Sequence, residues 1–84
     1  MLIEVLGSGC ANCQKLEAQT QEVVTEMGID AQVVKVTDIR EIMAHGVMST
    51  PGLVIDGQTV CSGRVPTKAE VNSWVVDALA SEAG

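Results

Sequence analysis

Apolar and polar positions alternate with different periods along the chain, and the changes of period mark its elements. Leu2, Ile3, Val5 and Leu6 form a nearly continuous apolar run, which Glu4 interrupts and Gly7-Ser8-Gly9 closes. Such a run predicts a short buried strand over Met1–Leu6. From Ala11 the period becomes helical: Cys13, Leu16, Thr20, Val23, Val24 and Met27 share one face, with Gln14, Lys15, Glu17, Gln21 and Glu22 off it and Gly28 as the left-handed stop. Ala31–Val36, with Val33, Val34 and Val36, reads as a second strand. Asp38 with Glu41 has the spacing of a helix N-terminal capping box, and Ile39, Ile42 and Met43 give a short helix closed by Gly46. Leu53-Val54-Ile55 is a buried strand, Asp56-Gly57 a two-residue hairpin turn, and Gln58–Cys61 the returning strand. Pro66-Thr67 opens a last helix, with Thr67 and Glu70 as a capping box and Val71, Trp74, Val75, Ala78 and Leu79 as its core stripe. Residues Ser81–Gly84 are expected to fray. The order is β-α-β-α-β-β-α, an α/β arrangement in which a parallel β-α-β link precedes an antiparallel hairpin. It is read as a single domain over residues 1–84.

Composition narrows what this domain can do. The chain is 46% hydrophobic with Trp74 as its only aromatic residue, so the core has to be aliphatic. Net charge is −6 and the five basic residues, Lys15, Lys35, Arg40, Arg64 and Lys68, are dispersed. A nucleic-acid partner needs a basic stripe and an anionic membrane a basic cluster, and neither is present. No run reaches the length of a membrane span. Met1–Leu6 has no basic region before its apolar residues, so it does not read as a signal peptide, and the expected location is cytoplasmic.

The chemistry lies where the first strand meets the first helix, at Gly7-Ser8-Gly9-Cys10-Ala11-Asn12-Cys13. Unpaired backbone N–H groups and the positive end of the helix dipole favour a thiolate there. Cysteines at i and i+3 lie on one side of a helix, close enough to bridge. Cys10 falls at the cap and Cys13 at the head of the buried stripe, which suggests an exposed attacking thiol and a shielded partner. A reactive thiol beside a second thiol suffices for disulfide exchange. The bland alternative, two small apolar side chains on a buried face, leaves the Gly-x-Gly lead-in without a purpose. That lead-in is not a dinucleotide fingerprint, since no third glycine opens the helix. A docking module without chemistry would leave the paired thiols unexplained. His45, in the last turn of the short helix and remote in sequence from every cysteine, reads as a surface residue.

The strand–Cys-x-x-Cys–helix start, Thr50-Pro51 before an apolar strand, the Asp56-Gly57 hairpin and Gly63 together resemble the thioredoxin fold in its shortest, glutaredoxin-sized form. The likeness covers nearly the whole chain and is strongest to the compact thioredoxin-like redox-active disulfide proteins of archaea and bacteria. It implies a four-stranded mixed sheet flanked by helices. It also implies a thiol–disulfide oxidoreductase that reduces protein disulfides without a cofactor and is regenerated by a thioredoxin-reductase-like enzyme. By this likeness Cys10 is the nucleophile and Cys13 the resolving thiol. Pro51, after Thr50, is a cis proline facing the disulfide, and Gly63 helps hold the substrate backbone. Glu4 and Lys35 occupy the places of a buried acid and its lysine partner, and would be neighbours on adjacent parallel strands below the cysteines, with Glu4 as proton acceptor. Ala11-Asn12 stands where thioredoxins have Gly-Pro, and no Trp precedes Cys10. The flanking aromatics and glutathione-gripping signature of glutaredoxins are missing.

The competing reading of the same cysteines is a soft-metal module or metallochaperone for copper or zinc. Copper chaperones also set Cys-x-x-Cys before a helix, but they run β-α-β-β-α-β. Cys61 has no role implied by the likeness. A simple two-residue hairpin pairs Ile55 with Gln58, Leu53 with Val60 and Gly52 with Cys61, which puts Cys61 beside Pro51 as a small buried hydrophobe.

Overall fold

The computed structural model describes the backbone of residues 1–83 and the side chains through Ser81. Its elements are β1 (Leu2–Leu6), α1 (Ala11–Met27), β2 (Gln32–Val36), α2 (Ile39–Ala44), β3 (Gly52–Ile55), β4 (Gln58–Ser62) and α3 (Lys68–Ala83). The four strands form one mixed sheet in the order β2-β1-β3-β4, with β1 parallel to β2, antiparallel to β3, and β3 antiparallel to β4. This is the α/β arrangement expected from the apolar pattern. The last helix runs through Ala83 rather than fraying from Ser81, and Gly84 lies outside the described residues. No described helix is long and apolar enough to cross a membrane.

Alternation along β1 divides the interior in two. Ile3 and Val5 join Leu16 and Val23 of α1, Leu53 and Ile55 of β3, and Val71 and Val75 of α3 in the larger core cluster. Leu6 turns to the other face, where it packs with Val36, Ile42, Val47 and Val54. Thus α1 and α3 cover one face of the sheet and α2 the other. On α1 the buried Thr20 hydroxyl donates to the Leu16 carbonyl at 2.8 Å, so the one polar member of the stripe is satisfied within its own helix. On α2 only Ile42 is buried. Ile39 and Met43 stand exposed, although the sequence pattern groups all three.

Local chemistry sets the element ends. Gly28 takes φ +63° and donates its N–H to the carbonyls of Val24 and Thr25 at the end of α1. Asp38 caps α2, its Oδ1 accepting from the Arg40 N–H at 2.8 Å. At the start of α3, Thr67 N–H donates to Glu70 Oε1 at 3.0 Å and Glu70 N–H to Thr67 Oγ1 at 3.2 Å, a complete capping box. Asp56 and Gly57 have φ of +48° and +83°, the two positive values a tight hairpin requires.

The hairpin departs from the simple register. Ile55 pairs with Gln58 and Val54 with Thr59, but Leu53 then pairs with Cys61 and Gly52 with Ser62. An irregularity between Leu53 and Val54 leaves Val60 without an opposing residue. Cys61 therefore sits opposite Leu53 rather than Gly52, and it belongs to the larger core cluster. Trp74, half-buried on α3, borders a cleft of about 290 Å³ with Ile55, Gln58, Thr59 and Val60, at the hairpin end of the sheet.

Candidate functional site

The opposite end of the sheet carries the cysteines. Gly7-Ser8-Gly9 turns the chain from β1 into α1, and the Gly7 N–H donates to the Val36 carbonyl at 2.9 Å, which pins the turn to the end of β2. Cys10 is the N-cap of α1, with extended backbone (φ −66°, ψ 165°), and its Sγ accepts from the Cys13 N–H at 3.3 Å. The helix thus aims a backbone donor at the sulfur, the arrangement that stabilises a thiolate. Cys10 and Cys13 are joined in a disulfide, their Cα atoms 5.1 Å apart. Cys10 is exposed, whereas Cys13 is only 5% exposed.

Gly7 is essential to the way Cys13 is seated. A Cβ at position 7 would fall 2.9 Å from the Cys13 Cβ and closer still to its sulfur, a separation real side chains do not adopt. The absence of a side chain lets α1 approach the end of β1. Thr50 lies against the same spot, its Cβ 3.8 Å from that position. The Thr50–Pro51 peptide is cis, and Pro51 is buried. Gly63, at φ +79°, donates its N–H to the Pro51 carbonyl at 2.9 Å. Cys10, Cys13, Thr50, Pro51 and Gly63 are therefore gathered at one end of the sheet.

Glu4 and Lys35 do not form the pair implied by the likeness. In the β1–β2 register Glu4 faces Val34, and Lys35 faces Val5. Cross-strand partners share a face and successive residues alternate, so the two side chains leave the sheet on opposite sides. Glu4, on the α2 face with Leu6, is 18% exposed, and its Oε2 lies 3.4 Å from Nε2 of His45. His45 is accordingly half-buried against the sheet rather than a free surface residue. Lys35, on the α1 face, places Nζ 3.2 Å from Oε2 of Glu17. Glu17, Lys35, Gln14 and Thr37 border a cavity of about 40 Å³ that also touches Cys13.

Glu17 is the residue that sequence reasoning missed. It lies off the apolar stripe, yet its side chain is only 29% exposed. Its position four residues after Cys13 was the available signal, because i and i+4 are neighbours on a helix.

Cys61 is a free, buried thiol. Its sulfur donates to the Arg64 carbonyl at 3.7 Å, and burial pushes its pKa above the usual thiol value. Arg64 forks onto Glu70 at 3.0 and 2.7 Å, and that guanidinium holds the Glu70 carboxyl down at about 2. Among the described residues, no group of three or more His, Cys, Asp or Glu side chains is placed to hold a metal ion.

Comparison with known proteins agrees with the site. The family profile described as "Thioredoxin domain" matches residues 1–76. The chain is 44% identical over 71 residues to a thioredoxin of Methanothermobacter thermautotrophicus, an alignment covering 84% of this chain and 92% of that protein. It is 39% identical over 71 residues to a thioredoxin of Methanocaldococcus jannaschii, covering 84% and 81%. The structure of thioredoxin 1 from Thermosipho africanus superposes over the full length of both chains with a TM-score of 0.66 at 19% identity, a likeness of fold. None of these relatives supports the copper or zinc reading of the cysteines. With a cap-and-stripe dithiol at the end of a mixed sheet, and relatives at this level of identity, the chain belongs to the thioredoxin domain family and is a thiol–disulfide oxidoreductase.

Proposed function

We propose that this single thioredoxin-like domain, residues 1–84, reduces disulfides in protein substrates. Cys10 thiolate attacks a substrate sulfur and forms a mixed disulfide. Cys13 then attacks Cys10, releases the reduced substrate and leaves the Cys10–Cys13 disulfide. Thr50, Pro51 and Gly63 form the rim along which the substrate backbone lies. A thioredoxin-reductase-like enzyme restores the dithiol. The three-cysteine sequence with its free Cys61 suits a reducing cytoplasm. The observation that carries this reading is the asymmetry of the disulfide, with an exposed sulfur at the helix cap and a buried one three residues on.

The test is trapping. Limited iodoacetamide on the reduced protein should label Cys10 before Cys13. Cys13→Ser should accumulate a stable mixed disulfide with a protein substrate, and Cys10→Ser should accumulate none and be inactive. First labelling at Cys13, or an adduct trapped by Cys10→Ser, would reverse the roles.

A further inference from the structure

For Cys13 to attack Cys10, its thiol must first lose a proton, and it is buried. Beside it lies a small cavity of about 40 Å³ between β1, β2 and α1. The charged groups on that cavity are Glu17, from the same helix, and Lys35, from β2. β1 contributes Val5, the turn after it Gly7 and Gly9, and the loop before β3 sets the uncharged Thr50 against Gly7. Glu4, also half-buried, is on the far face of the sheet against His45, and the half-buried Glu70 is held by Arg64 at the start of α3.

Resting on the exchange reading above, we propose that Glu17 is the proton acceptor for Cys13, and that Lys35 is the positioning residue that holds it there. The cavity has room for about one water, enough to relay a proton between a thiol and a carboxylate on its wall. The 3.2 Å contact with Lys35, a side chain that is itself 59% exposed, tethers Glu17 on the wall of the cavity from its solvent side. It also keeps the local charge constant. Before transfer the cavity holds a carboxylate, an ammonium and a neutral thiol, and after it a carboxylic acid, an ammonium and a thiolate. No net charge is created in the partly buried site, so the step avoids the cost of desolvating an unpaired ion.

The step balances. Cys10 thiolate displaces one substrate thiolate and forms the mixed disulfide. The Cys13 S–H proton passes to Glu17, and the Cys13 thiolate attacks Cys10 Sγ. The Cys10–substrate S–S bond breaks, and the departing thiolate takes up the proton held by Glu17. Two electrons have moved from the dithiol to the substrate disulfide.

Stopped-flow mixing of reduced protein with one equivalent of dithiobis-nitrobenzoate, whose thiolate is coloured, separates the two steps as two releases. Glu17→Gln should leave the first release within about twofold and slow the second by about a hundredfold at neutral pH, the lower end of the range for general-base catalysis. The loss should shrink as pH rises and hydroxide replaces the carboxylate. Glu17→Asp should restore part of the second rate, and Lys35→Gln should slow the second release alone. A wild-type second rate in Glu17→Gln, an equal loss in both releases, or a loss that stays constant with pH would overturn the relay. If wild-type protein gave no second release at all, the exchange reading itself would fail, and that outcome is distinct from every result on position 17.

Discussion

The two faces of the sheet hold comparable parts put to different use. Each has an apolar cluster and a half-buried glutamate beside a basic side chain, Glu17 with the exposed Lys35 and Glu4 with His45, yet only the α1/α3 face opens onto the buried thiol. There Glu17 and Lys35 share a cavity with Cys13. On the α2 face Glu4 and His45 join the middle of β1 to the end of α2, just before the loop that carries Thr50 and Pro51. A strand sends successive side chains to opposite sides, so residues 4 and 5 of one strand serve different tasks. An acid at the expected distance before a Cys-x-x-Cys is therefore not enough; the face it occupies decides which chemistry it can reach.

This contrast can be broken at several depths. Leu16, wholly buried under α1, should cost about 3–4 kcal/mol when changed to Ala, whereas Ile42→Ala in the smaller α2 cluster should cost about 2 kcal/mol. Denaturant titration of both variants gives the comparison directly, and equal costs would mean that α2 is as firmly seated as α1.

Glycines offer a matched pair. At Gly7 a methyl group meets Cys13, and at Gly52 it meets Val47 at 3.2 Å and the Leu6 side chain at 3.4 Å. Gly7→Ala should cost about 2–3 kcal/mol in the oxidised protein and slow closure of the Cys10–Cys13 disulfide. Gly52→Ala should cost about 1 kcal/mol and leave closure untouched. Unfolding curves and the rate of air-free oxidation read the two effects separately.

Glu4→Gln should lower stability by about 1 kcal/mol, through loss of a partly buried charged contact, without changing the ratio of the two thiolate-release rates. A selective loss of the second release in this variant would move the proton acceptor to the other face.

Acid should sharpen the contrast from the start of α3. The Glu70 carboxyl sits at about 2, below its ordinary 4.5, held first by the Arg64 side chain and then by the Thr67 N–H. The unfolded chain takes up that proton near 4.5 and the folded chain only near 2, so the contribution of Glu70 is present above about 4.5 and fades as pH falls toward 2. Melting temperature measured across that window should fall in wild type and converge with Glu70→Gln at its acid end.

Element order was legible in the sequence because each boundary has its own local cause: Gly28, Asp38, Asp56-Gly57 and the Thr67/Glu70 box act within a few residues. The dithiol was legible for the same reason, since a helix cap and the head of an apolar stripe are both local. Whatever depended on register was not. One unopposed residue at Val60 moved Cys61 from Gly52 to Leu53. One step of parallel register set Lys35 beside Val5 rather than Glu4, and so on the other face. Glu17 was hidden because a helical wheel records distance from the core stripe and knows nothing of the strand that comes to meet it. Ile39 and Met43 misled in the opposite sense: their spacing is that of a buried face, but α2 is too short to cover more than Ile42.

The position of Trp74 has an optical consequence. It is the chain's only aromatic residue, and it borders the cleft at the hairpin end of the sheet, while the disulfide lies beyond the other end of β3. The four residues of β3 alone separate the two by about 10 Å. A disulfide quenches indole emission at close contact, so the fluorescence of this chain should follow the seating of α3 and stay the same whether the cysteines are joined or free. Oxidised and reduced protein can then be unfolded against a common baseline, and the difference between their curves measures the contribution of the Cys10–Cys13 bond without a spectral correction.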